Sequence, residues 1–264
     1  MRLISDDAEI QYEVMGDGPP VLLLHPFPAN HRLCAPVADM LASRYRVILP
    51  DLRGHGDSTP GRGPATMEKH AADLLRLCDA ERVGRGVFIG VSIGGYALFE
   101  FWRRHRVRVA GLVFCNTKAA PDSDQARADR LQSADEVEQH GPAAFLDSMA
   151  GKLVGVTTRT NRPDLQAAAR KLMAKMTVAG IAAVQRGMAA RPDSLPTLAT
   201  IDVPALVIAG EEDITPLADL QAIQQGIRGS QLIVIPKAGH YAIFERADEA
   251  GRAVRKFLDT LPPW

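Results

Sequence analysis

Residues 87–95 have the sequence Val-Phe-Ile-Gly-Val-Ser-Ile-Gly-Gly, and they are the most informative stretch of the chain. The first five are apolar or small, which indicates a buried strand, and residues 96–102 beyond them are expected to be helical. The Gly90-x-Ser92-x-Gly94 motif between strand and helix is typical of a sharp turn with strained backbone geometry at its centre. Such a turn raises the Ser92 hydroxyl above the edge of a sheet, so Ser92 is a candidate nucleophile.

Five more segments have the character of buried strands. Most are continuous apolar runs bounded by turn residues, the pattern of parallel strands covered by helices on both faces. Residues 9–14 differ, because polar and apolar residues alternate there, and we expect them to form an exposed edge strand. The apolar runs are residues 21–24, 45–49, 111–115, 205–209 and 231–235.

Helical patterns lie between these strands. One apolar helical face follows Thr66, a candidate N-cap, and another helix is expected to begin at Thr215-Pro216 and to run to about Ile227. A last helix carries an apolar stripe that ends before Pro262. The alternation of strands and helices predicts an α/β fold built on a parallel sheet.

Residues 118–200 interrupt this alternation. They contain no convincing strand, are rich in Ala, Arg, Asp and Gln at helical spacing, and are divided by X-Pro pairs. We interpret them as a helical insertion, which a surface position tolerates at small entropic cost. The predicted division is a core of residues 1–117 and 201–264 with an inserted helical cap of residues 118–200.

Composition narrows the possible functions. The 264 residues include 31 Lys plus Arg and 31 Asp plus Glu, so the formal net charge is zero, and only 5% are aromatic. These values argue against a protein that binds nucleic acid. No apolar run is long enough to cross a membrane, and residues 1–10 lack the apolar region of a signal peptide. Three isolated cysteines predict no disulfide framework, so we expect a cytoplasmic protein with reduced thiols at Cys34, Cys78 and Cys115.

A serine hydroxyl needs a general base to act as a nucleophile at neutral pH. His240 follows the last predicted strand, which places it at the carboxyl edge of the sheet together with Ser92. His25 also follows a strand at that edge, and His55 lies in a glycine-rich loop. The other histidines have no partner in the sequence pattern: His31, His70, His105 and His140.

The base in turn needs a carboxylate that holds the imidazole in the correct tautomer. Gly210-Glu211-Glu212-Asp213 follows the strand at residues 205–209, again at the carboxyl edge of the sheet. Asp213 immediately precedes the next predicted helix and so lies in the loop, which favours it as the acid. Glu211 and Glu212 are the competing candidates.

These residues resemble the α/β-hydrolase superfamily, whose catalytic triad has the chain order Ser92, Asp213, His240. Residues 210–216, Gly-x-x-Asp-x-x-Pro, and residues 238–240, Ala-Gly-His, are similar to the acid and base motifs of that superfamily. The motifs occur in the same order as in the superfamily, which makes the resemblance specific for the fold. The same fold hosts many chemistries, so the substrate is much less constrained.

The resemblance extends from Glu9 to the C-terminal helix. It implies an α/β-hydrolase fold, with about eight mostly parallel strands, helices on both faces and an inserted cap. Residues 51–58, Asp-Leu-Arg-Gly-His-Gly-Asp-Ser, look like a further superfamily loop. In the family this loop is structural, which favours a supporting role over direct substrate contact for Arg53 or Asp57.

The resemblance also implies an oxyanion hole made of two backbone N–H groups. Superfamily members carry a His-Gly segment after the third strand, whereas residues 25–28 of this chain are His-Pro-Phe-Pro. The two donors map to Phe27 and to Ile93, the residue after the nucleophile. Because proline has no backbone N–H, Phe27 is the only main-chain donor between His25 and Ala29.

A serine at position 92 favours acyl transfer, because the related haloalkane dehalogenases and epoxide hydrolases use aspartate there. The resemblance therefore implies a serine hydrolase that cleaves small carboxylic esters through an acyl-enzyme, in the carboxylesterase and 3-oxoadipate enol-lactonase-like branch. A lactonase or carbon–carbon bond hydrolase with the same triad is one alternative. A perhydrolase or cofactor-free haloperoxidase side activity is a second, and a non-catalytic ligand-binding receptor is a third.

The inserted cap is expected to roof the substrate pocket. The candidate pocket residues are apolar side chains of the cap, together with Tyr241 beside the base: Phe145, Met149, Leu153, Met173 and Met176. No metal-ligand spacing and no Gly-x-Gly-x-x-Gly segment after the first buried strand is present, so no metal or cofactor is predicted. The expected partner is a small-molecule ester or lactone, without nucleic acid or membrane, and both a monomer and a homodimer remain open.

Overall fold

The computed structural model describes all 264 residues. Eight strands form one sheet in the order β1-β2-β4-β3-β5-β6-β7-β8. The first two pairs in this order are antiparallel and all others are parallel. The strands are β1 (Arg2–Ser5), β2 (Ala8–Met15), β3 (Pro20–Leu24), β4 (Arg46–Pro50), β5 (Gly86–Val91), β6 (Val109–Cys115), β7 (Ala205–Gly210) and β8 (Gln231–Ile235).

The centre of the sheet forms the core of the molecule. Every residue of β5, β6 and β7 is buried, as expected for continuous apolar strands covered on both faces. The predicted α/β-hydrolase architecture, with an eight-stranded and mostly parallel sheet, is therefore confirmed. β8 has only one neighbouring strand, so its residues are partly exposed, including Val234 at 41%.

Twelve α-helices surround and extend the sheet, with α1 packed on α12 and α2 packed on α3. Their bounds are α1 (Ala35–Leu41), α2 (Met67–Ala80), α3 (Ile93–His105), α4 (Asp124–His140), α5 (Ala143–Leu153), α6 (Val156–Asn161), α7 (Pro163–Met173), α8 (Val178–Ala189), α9 (Leu195–Leu198), α10 (Leu217–Gly226), α11 (Ala242–Glu245) and α12 (Ala247–Leu258). None of them combines the length and the apolar character needed to span a bilayer.

Three sequence expectations about local structure need correction. The alternating segment is not the edge of the sheet, because β1 pairs with β2 on its outer side through a register that joins Arg2 to Gln11. The helix expected at Thr215-Pro216 begins at Leu217 with Pro216 as its N-cap residue. The last helix ends at Leu258, four residues before the proline pair rather than next to it. Thr66, by contrast, caps α2 as expected, since its side chain accepts the Lys69 N–H.

Helices α4 to α9 lie between β6 and β7, where the sequence predicts an insertion. They are tied to the rest of the molecule by backbone and side-chain hydrogen bonds. The Ala65 N–H donates to the Ala183 carbonyl at 2.9 Å, and Asn30 Nδ2 donates to the Leu172 carbonyl at 3.0 Å. The predicted boundaries of the cap, residues 118–200, remain a prediction.

Candidate active site

Ser92 lies in the turn between β5 and α3 with φ of 53°, a left-handed value that residues other than glycine rarely adopt. The turn is possible because Gly90 and Gly94, two residues before and after Ser92, lack a side chain. A Cβ on Gly90 would lie 2.5 Å from the backbone of Gly94, and a Cβ on Gly94 would lie 2.8 Å from the Leu24 carbonyl oxygen. The Gly-x-Ser-x-Gly pattern is therefore needed for steric reasons, and it leaves Ser92 at the N-terminus of α3.

Two neighbours hold the serine backbone in this conformation. The Ser92 N–H donates to the Cys115 carbonyl at 2.9 Å, and the Ser92 carbonyl accepts the Thr117 hydroxyl at 2.8 Å. Both partners belong to the end of β6 or to the loop after it. The strand beside the nucleophile thus positions it directly.

His240 and Asp213 form a buried pair at the same edge of the sheet. His240 Nδ1 donates to Asp213 Oδ1 at 2.7 Å, and the Asp213 side chain is only 1% exposed. The carboxylate also accepts the Thr215 N–H at 3.0 Å and Nδ2 of Asn116 at 2.7 Å. Burial raises the pKa of Asp213, but the facing His240 and these hydrogen bonds outweigh it and hold the pKa below its ordinary value.

The two competing acids are engaged elsewhere. Glu211 accepts the backbone N–H of Lys237, and Glu212 accepts the N–H and hydroxyl of Thr157 in α6. Neither glutamate has a hydrogen bond to His240. The geometry therefore favours Asp213 over both of them as the partner of the base.

Ser92 and His240 line one cavity of about 220 Å³. Both residues are buried, at 8% and 6% exposure, so a reacting group there is largely shielded from water. Because Nδ1 of His240 is bonded to Asp213, Nε2 is the nitrogen left to take a proton. No hydrogen bond joins the Ser92 hydroxyl to His240 in this structure, and such contacts often tighten only with substrate bound.

Of the two predicted oxyanion donors, Phe27 lines this cavity and Ile93 directly follows Ser92, which lines it. The Phe27 N–H donates to no acceptor within the protein. The next N–H along the chain, that of Ala29, donates to the Pro26 carbonyl at 3.1 Å. Ile93 is the first residue of α3, so its N–H has no intrahelical acceptor. Phe27 and Ile93 are therefore both available to an oxyanion.

The predicted pocket residues separate into two groups. Met149 and Leu153 line the cavity with Ser92, and Phe145 lines an adjoining groove of about 610 Å³ that shares Phe27, Arg130 and Met149 with it. Leu153 also accepts the backbone N–H of His240 at 2.9 Å, which joins the cap to the loop of the base. The other three are placed differently: Met173, Met176 and Tyr241 are buried in the hydrophobic core and line neither cavity.

The Tyr241 hydroxyl donates to the Phe27 carbonyl at 3.4 Å. This contact places Tyr241 behind the candidate oxyanion donor rather than against substrate. Helical spacing cannot distinguish an apolar side chain that faces a pocket from one that faces the core, because both lie on the buried side of the helix.

The loop at residues 51–58 supports the site and does not line it. Arg53 is buried and is bonded to Asp73 and Asp7, while exposed Asp57 forms an ion pair with Lys175 of the cap. His25 is also structural, because its Nε2 accepts the Leu52 N–H and its Nδ1 faces the Pro26 carbonyl. Burial lowers the pKa of His25 to about 4, so this ring is neutral at pH 7.

Sequence patterns do not reveal several residues at the site. Asn116 bonds the carboxylate of Asp213, and its only local signal is its position directly after β6. Lys118 and Arg130 line the cavity with Ser92, although the sequence presents them as ordinary polar residues of an inserted segment. No cluster of three metal-ligating side chains is close enough together to hold a metal ion.

Comparison with known proteins identifies the family of this chain. Residues 19–247 match the family model for the alpha/beta hydrolase fold. A thermophilic esterase from Thermogutta terrifontis is 37% identical with a TM-score of 0.94, covering 98% of this chain and 97% of that one. The enol-lactonase from Burkholderia xenovorans LB400 is 28% identical with a TM-score of 0.91, covering 98% and 100%.

A sequence relative points the same way. The pimeloyl-[acyl-carrier protein] methyl ester esterase of Xanthomonas campestris is 27% identical over 263 residues, covering 95% of this chain and 99% of its own length. These relatives are esterases and a lactonase, and they match this chain over nearly its whole length. With its eight-stranded sheet and its serine on a strand-to-helix turn, the chain belongs to the α/β-hydrolase fold family and is a hydrolase of ester-type substrates.

Proposed function

We propose that this hydrolase is a serine carboxylesterase that cleaves small esters through an acyl-enzyme. One observation carries the proposal: the buried bond between His240 Nδ1 and Asp213 leaves Nε2 of His240 for the cavity that Ser92 also lines. This arrangement supports the proposal that Ser92 is the nucleophile, His240 the base and Asp213 the acid that orients it.

The mechanism follows from this arrangement. Ser92 Oγ attacks the ester carbonyl carbon while His240 Nε2 takes the hydroxyl proton, and the N–H groups of Phe27 and Ile93 donate to the developing oxyanion. Asp213 stabilises the imidazolium. The C–O bond to the alcohol breaks as His240 returns the proton to the leaving oxygen, and water then cleaves the acyl-enzyme by the same route.

A lactone is a second candidate substrate, because it is an internal ester and the same steps open its ring. The likeness to the Burkholderia enol-lactonase favours it. In that case the alcohol stays attached to the acyl group after the C–O bond breaks. The residues and their roles are unchanged, so Ser92→Ala is expected to abolish hydrolysis of both kinds of substrate.

The test is hydrolysis of a p-nitrophenyl ester series, from acetate to laurate, by the wild type, Ser92→Ala and Ser43→Ala. Ser43 is an exposed serine and provides the matched control. We expect activity that is highest for short acyl chains, is lost in Ser92→Ala and is retained in Ser43→Ala. Retained activity in a pure Ser92→Ala preparation would exclude the acyl-enzyme mechanism at this serine.

A further inference from the structure

Three cationic side chains surround one buried carboxylate next to the candidate nucleophile. Asp122 Oδ1 lies 2.8 Å from Arg191 Nη2 and 3.2 Å from Lys118 Nζ, and its Oδ2 accepts Arg130 Nε at 2.6 Å. The Asp122 side chain is only 2% exposed, and none of the three cations has another acidic partner. The cluster therefore carries an excess of two positive charges.

The carboxylate in this cluster is ionised at neutral pH. Burial raises the pKa of Asp122, but Arg130 and Arg191 outweigh burial and hold the pKa well below its ordinary value. A single ionised carboxylate cannot neutralise three cations. An additional anion close by would be stabilised by the remaining charge.

The backbone around Ser92 fixes the cluster beside the reaction centre. Lys118 directly follows Thr117, whose hydroxyl donates to the Ser92 carbonyl. The Arg191 guanidinium lies 4.2 Å from the ring centre of Tyr96, which is one helical turn beyond Ser92. Both contacts depend on the same strand-to-helix turn, so the distance from the cluster to the nucleophile is set by the core of the fold.

Two of the three cations reach the cavity. Lys118 and Arg130 line it together with Ser92 and His240, and their side chains are 26% and 23% exposed, whereas Arg191 is 2% exposed. Arg191 donates to the Ala120 carbonyl as well as to Asp122. The Arg191 side chain is therefore buried inside the protein, where it supports the cluster and does not contact a ligand.

Lys118 and Arg130 both retain donors that no protein group uses. Arg130 donates through Nε to Asp122 and through Nη1 to Gln185, and its Nη2 has no acceptor in the protein. Lys118 Nζ has three hydrogens and a single acidic partner, Asp122. A guanidinium edge and an ammonium group that face one small cavity form a suitable site for a carboxylate.

We propose that Lys118 and Arg130 form a carboxylate subsite, and that the preferred substrates are short esters or lactones that themselves carry a carboxylate. Half-esters of short dicarboxylic acids belong to this class. The inference rests on the proposed function, and it adds the charge of the substrate. Asp219 lines the same cavity and would repel a carboxylate, so a bound acid is directed toward the cations. The cavity itself has a volume of about 220 Å³, which suits a short acid.

The test compares two substrates of nearly equal shape, monomethyl glutarate and its neutral primary amide, methyl 5-amino-5-oxopentanoate. At pH 7.5 the first carries a full negative charge. We expect kcat/KM of the wild type to be at least ten-fold higher for the half-ester. In Lys118→Met this ratio should fall at least five-fold, mainly through a higher KM for the half-ester. Lys171→Met, which removes an exposed lysine of α7, should keep the wild-type ratio.

The outcomes separate the subsite from the catalytic proposal. If both esters are hydrolysed with equal kcat/KM, the subsite is wrong and the esterase mechanism stands. If neither ester is hydrolysed, calorimetry on Ser92→Ala measures binding of the same two compounds. Binding of the half-ester at least ten-fold tighter, and loss of that preference when Lys118→Met is added, would support the subsite without catalysis; equal binding would overturn it.

Discussion

Asn116 Nδ2 donates a 2.7 Å hydrogen bond to Asp213 Oδ2, while Oδ1 of the same carboxylate accepts from His240. The amide therefore holds the carboxylate from the side opposite the base. Asn116 follows β6 directly and has φ of 48°, a left-handed conformation that asparagine tolerates. Asn116, which follows β6, therefore positions Asp213, which follows β7.

Asn116→Gly tests this positioning role. Glycine keeps the left-handed backbone but removes the donor. A hydrogen bond to a charged group contributes about 1.5–3 kcal/mol, so we expect kcat/KM on p-nitrophenyl acetate to fall about ten-fold to a hundred-fold. The variant also loses one of the hydrogen bonds that hold the pKa of Asp213 below its ordinary value. Unchanged kinetics, or equal losses in the exposed control Asn161→Gly, would contradict the role.

A second prediction concerns three neutral histidines buried beneath the site. Burial lowers the pKa of His25 to about 4 and of His70 to about 3, and it lowers the pKa of His55 well below 6.5. The unfolded chain takes up protons at these rings as soon as the pH falls below about 6.5, and the folded protein does not. The stability that these histidines contribute is therefore complete above pH 6.5 and is lost as the pH falls toward their folded values.

His70→Leu measures this loss. Neither ring nitrogen of His70 has a hydrogen-bond partner, so leucine removes no hydrogen bond. Each pH unit below 6.5 costs about 1.4 kcal/mol per histidine, so the free energy of unfolding in the variant should fall about 2 kcal/mol less between pH 8 and pH 5. Urea unfolding at both pH values gives the difference. His140 is exposed, and His140→Leu should retain the wild-type pH dependence.

Glu245 links the cap to the loop of the base. Its buried carboxylate accepts the N–H of Gly155 at 2.9 Å and the N–H of Gly239, next to His240, at 3.0 Å. Glu245→Ala leaves both N–H groups unpaired, and we expect a loss of about 2–4 kcal/mol in the free energy of unfolding together with a lower kcat. The measurements are urea unfolding and p-nitrophenyl acetate kinetics.

The controls for Glu245 separate position from charge. Glu245→Gln retains one acceptor oxygen and should lie between the wild type and the alanine variant. Glu249→Ala removes an exposed carboxylate from α12 and should match the wild type. A normal kcat in a destabilised Glu245→Ala protein would show that the link stabilises the cap without positioning His240.

Local residue patterns were sufficient to predict the fold class and the nucleophile turn. Both depend on neighbouring residues: continuous apolar runs mark buried strands, and glycines at 90 and 94 are required because their Cβ atoms would collide with nearby backbone. The same local signals identify Thr66 as a helix cap. They fail for β1, because a four-residue strand at the end of the chain has too little periodicity to be recognised.

Which distant residues come into contact depends on tertiary packing. Asp213, rather than Glu211 or Glu212, faces His240, and Lys118 and Arg130 share Asp122 at the cavity wall. Leu153, Met173 and Met176 are all buried in the core, but only Leu153 also lines the cavity with Ser92. These contacts join segments that are far apart in the chain. They depend on how the carboxyl ends of the strands and the inserted helices pack, which no local pattern of residues records.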